Sequence, residues 1–192
     1  MGDETYFTDT EILTEDRYSN PYMYVKINSE VIKTMNIQKK KLTDTTVYWA
    51  DVRVKNYVFL KTAFAKNQFG LNLEERTSKM ATNNNAIFAV NGDFYSAQEK
   101  GYVIRNGQAF RKTAASGRED LAIYKDGSFE TFYEKDVTAD ELIAKDVWQV
   151  LSFGPALLKN GEVAVEKDDE VGIFDDKRGN QRTGIGMVSP LH

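Results

Sequence analysis

A short polar segment that follows an apolar run is the first candidate for a functional site. Asn91, Gly92 and Asp93 come directly after residues 86–90, whose continuous apolar character predicts a strand buried on both faces. Polar groups at the exposed end of a buried strand are commonly rigidly held site residues. An Asn-Gly pair is also typical of a tight hairpin turn. The sequence therefore leaves a site and a turn as alternatives at this segment.

Two arginines form a second candidate, a phosphate-binding site. Arg105 precedes an Asn-Gly pair, and Arg182 opens the segment of Thr183, Gly184, Ile185 and Gly186. A guanidinium can hold a phosphate through two parallel charge-assisted hydrogen bonds, and nearby glycines allow backbone amides to approach the same oxygens. For either arginine, a surface ion pair is the alternative.

The composition limits the chemistry that is open to the chain. Its 192 residues include no cysteine, and the one histidine is the last residue, His192. A thiol nucleophile and a histidine-based triad are thereby excluded. Any hydrolysis must rest on carboxylates, amides and arginines, which narrows it to glycosyl or phosphoryl transfer.

The charge balance and hydropathy predict which partners to exclude. The net charge of −4 provides no general attraction to phosphate backbones, so we expect no nucleic-acid partner. No stretch reaches the roughly 18 apolar residues that span a bilayer. The acidic start predicts a polar linker over residues 1–20, ahead of one domain over residues 21–192, and we expect any export signal to have been removed.

The sequence predicts no metal and no cofactor. An acidic cluster suggests calcium, but it lacks the spacing of a calcium loop, and a solvated loop is the favoured interpretation. A divalent cation stays open, although no motif supports one. The cluster comprises Glu166, Asp168, Asp169, Glu170, Asp175 and Asp176.

The local patterns predict an α+β fold with a mixed, largely antiparallel sheet, hairpins and two short helices. Four pairs with glycine predict hairpin turns, and they begin at Asn91, Asn106, Asp126 and Asn160. Capping boxes predict one helix starting at Asn72 with Glu75 and another at Thr138 with Glu141. Strands are predicted over residues 22–32, 46–54, 57–64, 86–90, 102–105, 121–124, 129–133, 148–153, 162–165 and 183–188.

Six short motifs, taken in order, resemble the bacterial branch of the phosphodiester glycosidase family, which is related to the lysosomal uncovering enzyme. They are WADVR at 49–53, LKTA at 60–63, AVNGDFY at 89–95, IRNG at 104–107, FGPAL at 153–157 and RTGIG at 182–186. The resemblance implies hydrolysis of the bond between a sugar's anomeric carbon and a phosphate. It also implies an exopolysaccharide, cell-wall or glycolipid substrate and an extracellular or cell-surface location.

The resemblance also assigns expected roles to residues. Asn91 and Gly92 match the family's Asn-Gly motif, with Asn91 expected to hydrogen-bond the sugar or the developing anion. Arg105 and Arg182 match its arginines, with Arg182 the preferred phosphate contact and Thr183 beside it. Asp93 stands where many members have glycine, so the family pattern does not require it.

Two carboxyl groups are expected in the reaction, one assisting the leaving group and one stabilising the oxocarbenium-like centre. Asp93 and Asp51 are the candidates in this chain. The family pattern continues beyond RTGIG with an aspartate before a glycine- and serine-rich run, which could equally supply one of them. We therefore expect a domain that is incomplete at its carboxyl end, and pairing through an exposed sheet edge with a second fragment or copy. A non-catalytic module that binds a carbohydrate or a sugar phosphate is the alternative.

Overall fold

The structure is a computed structural model that describes residues 11–13, 23–25, 32–93, 95–115, 117–152, 155–165 and 181–192. Its described strands pair antiparallel throughout, and two short α-helices accompany them, which confirms the α+β class. The acidic cluster and most of the predicted linker lie outside these residues. No helix in the described ranges is both long enough and apolar enough to cross a membrane.

Four hairpins and one three-stranded sheet make up the strands. The hairpins are β1 (Glu11–Leu13) with β2 (Met23–Val25), β3 (Ile32–Lys41) with β4 (Thr46–Val54), β5 (Val103–Arg105) with β6 (Gln108–Arg111), and β10 (Leu158–Lys159) with β11 (Glu162–Val163). The three-stranded sheet has the order β8–β7–β9, formed by β7 (Glu119–Tyr124), β8 (Phe129–Tyr133) and β9 (Val147–Leu151). The helices are α1 (Thr77–Asn83) and α2 (Ala139–Ala144).

The main core lies between the three-stranded sheet, β5 and α2. Consecutive residues are buried at the centre of two strands, Ala122 and Ile123 in β7 and Gln149 and Val150 in β9, so the sheet is covered on both faces there. Leu142 of α2 and Ile104 of β5 both belong to the main buried cluster. The buried members are Tyr102, Ile104, Ala122, Ala139, Leu142, Val147 and Val150.

The predicted capping box of α2 is confirmed. The Thr138 hydroxyl accepts a hydrogen bond from the Glu141 amide at 3.2 Å, and the Glu141 carboxylate accepts one from the Thr138 amide at 2.8 Å. Two amides that a helix start would leave unpaired are thus satisfied by neighbours in the sequence.

The capping box predicted for α1 is wrong, because Asn72 does not begin the helix and the Glu75 carboxylate has another partner. Asn72 lies in the left-handed region with φ 55°, and its amide donates to the Ser96 carbonyl at 2.9 Å. The Glu75 carboxylate accepts a hydrogen bond from the Lys66 amide at 2.7 Å. The helix therefore begins at Thr77, without a side-chain cap.

The turn predictions hold at three of the four glycine pairs. Asn106-Gly107 and Asn160-Gly161 both have two successive positive φ values, as tight hairpin turns require. Asp126-Gly127, the third pair, lies in the four-residue connection between β7 and β8, where Gly127 has a φ of 88°. Neither residue of Asn91-Gly92 has a positive φ, so the hairpin turn predicted there is wrong.

Three predicted strands are absent from the described residues, namely 57–64, 86–90 and 183–188. In the first, a 3-10 turn (Tyr57–Phe59) forms because the Asn56 side chain accepts the Val58 amide at 3.0 Å. In the second, Val90 is 44% exposed, so the expected burial on both faces does not occur. Apolar composition alone therefore misidentified these segments as strands.

Side chains take over the role of a neighbouring strand along residues 60–62. The Leu60 carbonyl accepts hydrogen bonds from the Trp148 indole at 2.7 Å and from the Gln149 amide at 3.1 Å. The Thr62 amide and carbonyl both bond the Asn106 side chain, at 3.1 and 2.9 Å. This segment is thus attached to the core without belonging to a sheet.

Gln149 is the centre of that attachment. Its side chain is buried, and its oxygen accepts hydrogen bonds from the Thr62 hydroxyl at 2.8 Å and the Asn106 amide at 2.9 Å. Its nitrogen donates to Leu60 and to the Asn106 side chain. One buried amide therefore holds three separate backbone segments together.

Replacing Gln149 with leucine should destabilise the fold by about 3 kcal/mol, because the four hydrogen bonds made by its buried side chain are lost. Urea unfolding measures the loss. The matched control is Gln108→Leu at an exposed position of β6, which should change stability by no more than about 0.5 kcal/mol. Equal effects of the two substitutions would contradict the role given to Gln149.

Candidate functional site

A hydrogen bond joins the two motifs that the sequence analysis placed in one site. The Asn91 side-chain oxygen accepts a hydrogen bond from the Thr183 hydroxyl at 2.5 Å, across 92 positions of the chain. Both residues are exposed. The fold therefore brings the Asn-Gly segment and the Arg-Thr segment into direct contact at the surface.

Space and positive charge lie beside this contact. Gly92 is exposed, and a side chain placed on it would meet no atom within 4 Å. Arg182 is exposed next to Thr183, and within the described part of the chain its guanidinium is hydrogen-bonded to the Gln181 carbonyl alone, at 3.1 Å. A ligand that approaches Asn91 and Thr183 can therefore also reach a cation and an unobstructed stretch of backbone.

Asp93 and Arg105 form a buried ion pair directly beneath this surface. Their charged atoms are 2.5 Å apart, and their side chains are only 3% and 5% exposed. The second Asp93 oxygen accepts the Ser152 amide at 2.9 Å, and Arg105 also donates to the Val150 carbonyl. The Tyr95 ring lies 5.7 Å from the guanidinium carbon and covers it on another side.

The engagement of this pair limits what each member can do. A phosphate could bind Arg105 only by displacing Asp93 or the Val150 carbonyl from a buried position. Asp93, in turn, could transfer a proton only if it released the Ser152 amide or the guanidinium. The roles expected of them as phosphate contact and catalytic carboxyl therefore stay predictions, while the geometry establishes that they anchor the segment carrying Asn91.

Asp51 lies apart from this group. Its carboxylate is 2.7 Å from the ring Nε2 of His192, and the Asp51 side chain is 51% exposed. The Val54 amide also donates to the Leu191 carbonyl at 3.1 Å, so the carboxyl-terminal turn contacts β4 at two places. Among the described residues, no hydrogen bond or ion pair connects Asp51 with the other predicted site residues.

Ser152, which supports the site, was not singled out from the sequence. Ser152 binds Asp93 through its backbone amide, so its side-chain type provided no signal. The Tyr95 hydroxyl is buried without a hydrogen-bond partner among the described residues, and burial raises the pKa of this phenol. Tyr95 lies in the AVNGDFY motif together with Asn91.

Metal binding finds no support in the described ranges. No three histidine, cysteine, aspartate or glutamate side chains cluster there closely enough to hold an ion.

Replacing Asp93 with asparagine should lower the free energy of unfolding by about 3–5 kcal/mol, because it leaves the Arg105 charge buried without a counter-ion. Urea or thermal unfolding measures the loss. Asp51→Asn is the matched control, since it removes an exposed carboxylate, and it should cost less than about 1 kcal/mol. A tolerated Asp93→Asn substitution would show that the pair does not anchor the segment.

The comparisons with known proteins point to the family that the motifs resemble. The family model of phosphodiester glycosidases matches residues 84–189, more than half of the chain. The matched stretch includes Asn91, Arg105 and Arg182, whereas Asp51 lies outside it. No curated protein and no solved structure shows significant similarity to the chain. The chain therefore belongs to the phosphodiester glycosidase family.

Proposed function

We propose that this protein hydrolyses sugar 1-phosphodiesters and that the phosphate binds at the contact between Asn91 and Thr183. The family supports glycosidase activity on phosphodiesters in general. The observation that supports the location is the 2.5 Å hydrogen bond between these residues, with Arg182 exposed beside it and open space at Gly92.

The chemistry of the leaving group explains why an arginine matters here. Cleavage of the bond between the anomeric carbon and oxygen releases a phosphate monoester, which takes the electron pair, while water adds to the carbon. Phosphate monoesters have a second pKa of about 6, so the leaving group departs at neutral pH mainly as a dianion. In the proposal, the Arg182 guanidinium stabilises this growing charge. The Thr183 hydroxyl and the Gly92 amide complete the phosphate contact.

The sugar side of the substrate meets Asn91 in this proposal. Its amide can hydrogen-bond a sugar hydroxyl once the Thr183 hydroxyl turns toward phosphate. A carboxylate must also stabilise the oxocarbenium-like centre and accept a proton from water. Asp51 and Asp93 are the candidates from this chain. The exposure of Asp51 favours contact with water, whereas the burial of Asp93 favours a supporting role.

The substrate class and location follow from the same family resemblance. We propose a cell-surface or exopolysaccharide substrate and action outside the cell. No resident cofactor is part of the proposed chemistry.

One observation favours a second candidate, a module that binds sugar phosphates without turnover. The Asp93 carboxylate is occupied by Arg105 and Ser152, and Asp51 bonds none of the other site residues in the described structure. The contact between Asn91 and Thr183 thus has an exposed guanidinium beside it, but no free carboxylate among the described residues is bonded to it.

Release of free sugar from an N-acetylglucosamine 1-phosphodiester is the direct test of hydrolysis. Arg182→Ala should lower kcat/KM by about 10²–10³-fold, the usual cost of one group that stabilises transition-state charge. Its melting temperature should not change, because the side chain is exposed. Lys100→Ala, which removes another exposed cation, is the matched control and should keep full activity.

Binding measurements separate the two candidates. Saturable binding of the phosphodiester without sugar release, lost on Arg182→Ala, would favour the binding module. Absence of both release and binding in the wild-type chain would contradict both candidates.

A further inference from the structure

Two carboxyl groups that the proposed reaction does not use lie together inside the fold. Asp120 of β7 is 1% exposed, and Glu134, just after β8, is 2% exposed. Asp120 pairs directly with Phe132, so Glu134 lies two residues farther along and faces the same side of the sheet. Such diagonal neighbours lie within reach of each other's side chains.

Both oxygens of Glu134 accept hydrogen bonds from the backbone. One accepts a hydrogen bond from the Tyr102 amide at 2.7 Å, and the other accepts one from the Ala115 amide. These two bonds also join the end of β8 to the start of β5 and to the loop before β7.

Asp120 has the opposite surroundings. Neither of its oxygens receives a hydrogen bond from any described residue, although both are buried. A buried anion without donors beside a second anion is strongly unfavourable. A proton on Asp120 removes this conflict, because the neutral acid can donate to Glu134. Burial and hydrogen bonding to Glu134 raise the pKa of Asp120 to about 8.

The other groups around Asp120 come from three parts of the fold. Arg118 opposes the rise in its pKa, as does the Ser152 hydroxyl just after β9. Tyr102 of the core lies beside the pair, and burial and the nearby acids Glu134, Glu141 and Asp120 raise the pKa of its phenol. Arg118 is itself hydrogen-bonded to the Gln98 side chain at 3.3 Å.

Ser152 links the pair to the candidate site. Its amide donates to Asp93 at 2.9 Å, and its buried hydroxyl lies next to Asp120. Ser152 therefore lies between Asp120 and the ion pair that contains Asp93.

We propose that Asp120 and Glu134 share one proton at neutral pH, and that this acid–carboxylate pair positions Ser152 and, through it, the ion pair of Asp93 with Arg105. The shared proton stands on the geometry of the buried pair. Its effect on catalysis rests on the proposed function.

A shared proton should make the folded state less stable as the pH rises through a defined range. Below about pH 4, Asp120 carries its proton in both the folded and the unfolded chain. Between about pH 4 and about pH 8, the unfolded chain loses that proton while the folded chain keeps it, so stability falls as pH rises. Above about pH 8 both states have lost it, and this contribution becomes constant.

Asp120→Asn tests this sign, because its amide can donate to Glu134 without titrating. The stability of wild type relative to this variant should fall as pH rises from about 5 to about 8 and then level off. Asp140→Asn, at an exposed aspartate of α2, is the matched control and should show no such trend. A constant difference between Asp120→Asn and wild type across this range would overturn the proposal.

A carbon NMR titration of the Asp120 carboxyl in the wild-type chain needs no variant. It should show a midpoint well above that of an ordinary aspartate, whereas an ordinary midpoint would overturn the shared proton.

For catalysis, the alkaline limb of the pH profile of kcat/KM should move to higher pH in Asp120→Asn, and an unmoved limb would overturn the positioning role. If the wild-type chain releases no sugar, the proposed function fails while the NMR titration still decides on the proton.

Discussion

The candidate site depends on the buried ion pair between Asp93 and Arg105. Removing two charges from water is costly, and the cost is offset only when the remaining hydrogen-bonding positions are also filled. Here the Ser152 amide and the Val150 carbonyl fill them. The pair therefore ties three parts of the chain to one point: the Asn-Gly segment, β5 and the end of β9. Its buried geometry explains why the residues next to it can remain exposed and still be held in place.

The buried residues that hold the site in place are therefore different from the exposed residues that a ligand can reach. Asp93 and Arg105 lie beneath the surface, whereas Asn91, Gly92, Arg182 and Thr183 lie upon it. The exposed group contains what a phosphodiester requires, namely a guanidinium, a hydroxyl, an amide and space for backbone approach. In our proposal, the buried acid pair of Asp120 and Glu134 adds further support, because it positions Ser152, whose amide donates a hydrogen bond to Asp93.

The sequence predicted what depends on neighbours along the chain. The limits of β4 and β8, the turn at Asn106-Gly107 and the capping box of Thr138 with Glu141 all follow from local patterns, and they are confirmed. The same reasoning wrongly predicted a strand over residues 57–64. The backbone of Leu60 and Thr62 is hydrogen-bonded by the side chains of Asn106, Trp148 and Gln149, and no local pattern reveals partners so distant in sequence.

The site divides in the same way. The family motifs pointed to Asn91 and Thr183, and the structure places the two in contact. Their separation of 92 positions meant that spacing alone could not establish this. The burial of Asp93 was equally hidden, since an aspartate after an Asn-Gly pair has the sequence character of an exposed turn. Asp120 gave no signal because it lay just before the predicted strand 121–124, where an acidic residue normally faces water.

An NMR titration of the wild-type chain with an N-acetylglucosamine 1-phosphodiester, following the backbone amides, tests the proposed phosphodiester site directly. We expect saturable shifts centred on Asn91, Gly92, Arg182 and Thr183, with smaller changes at Ser152 beneath them. Saturable shifts confined to another surface, or no shifts at these four residues, would contradict the placement of the phosphodiester site.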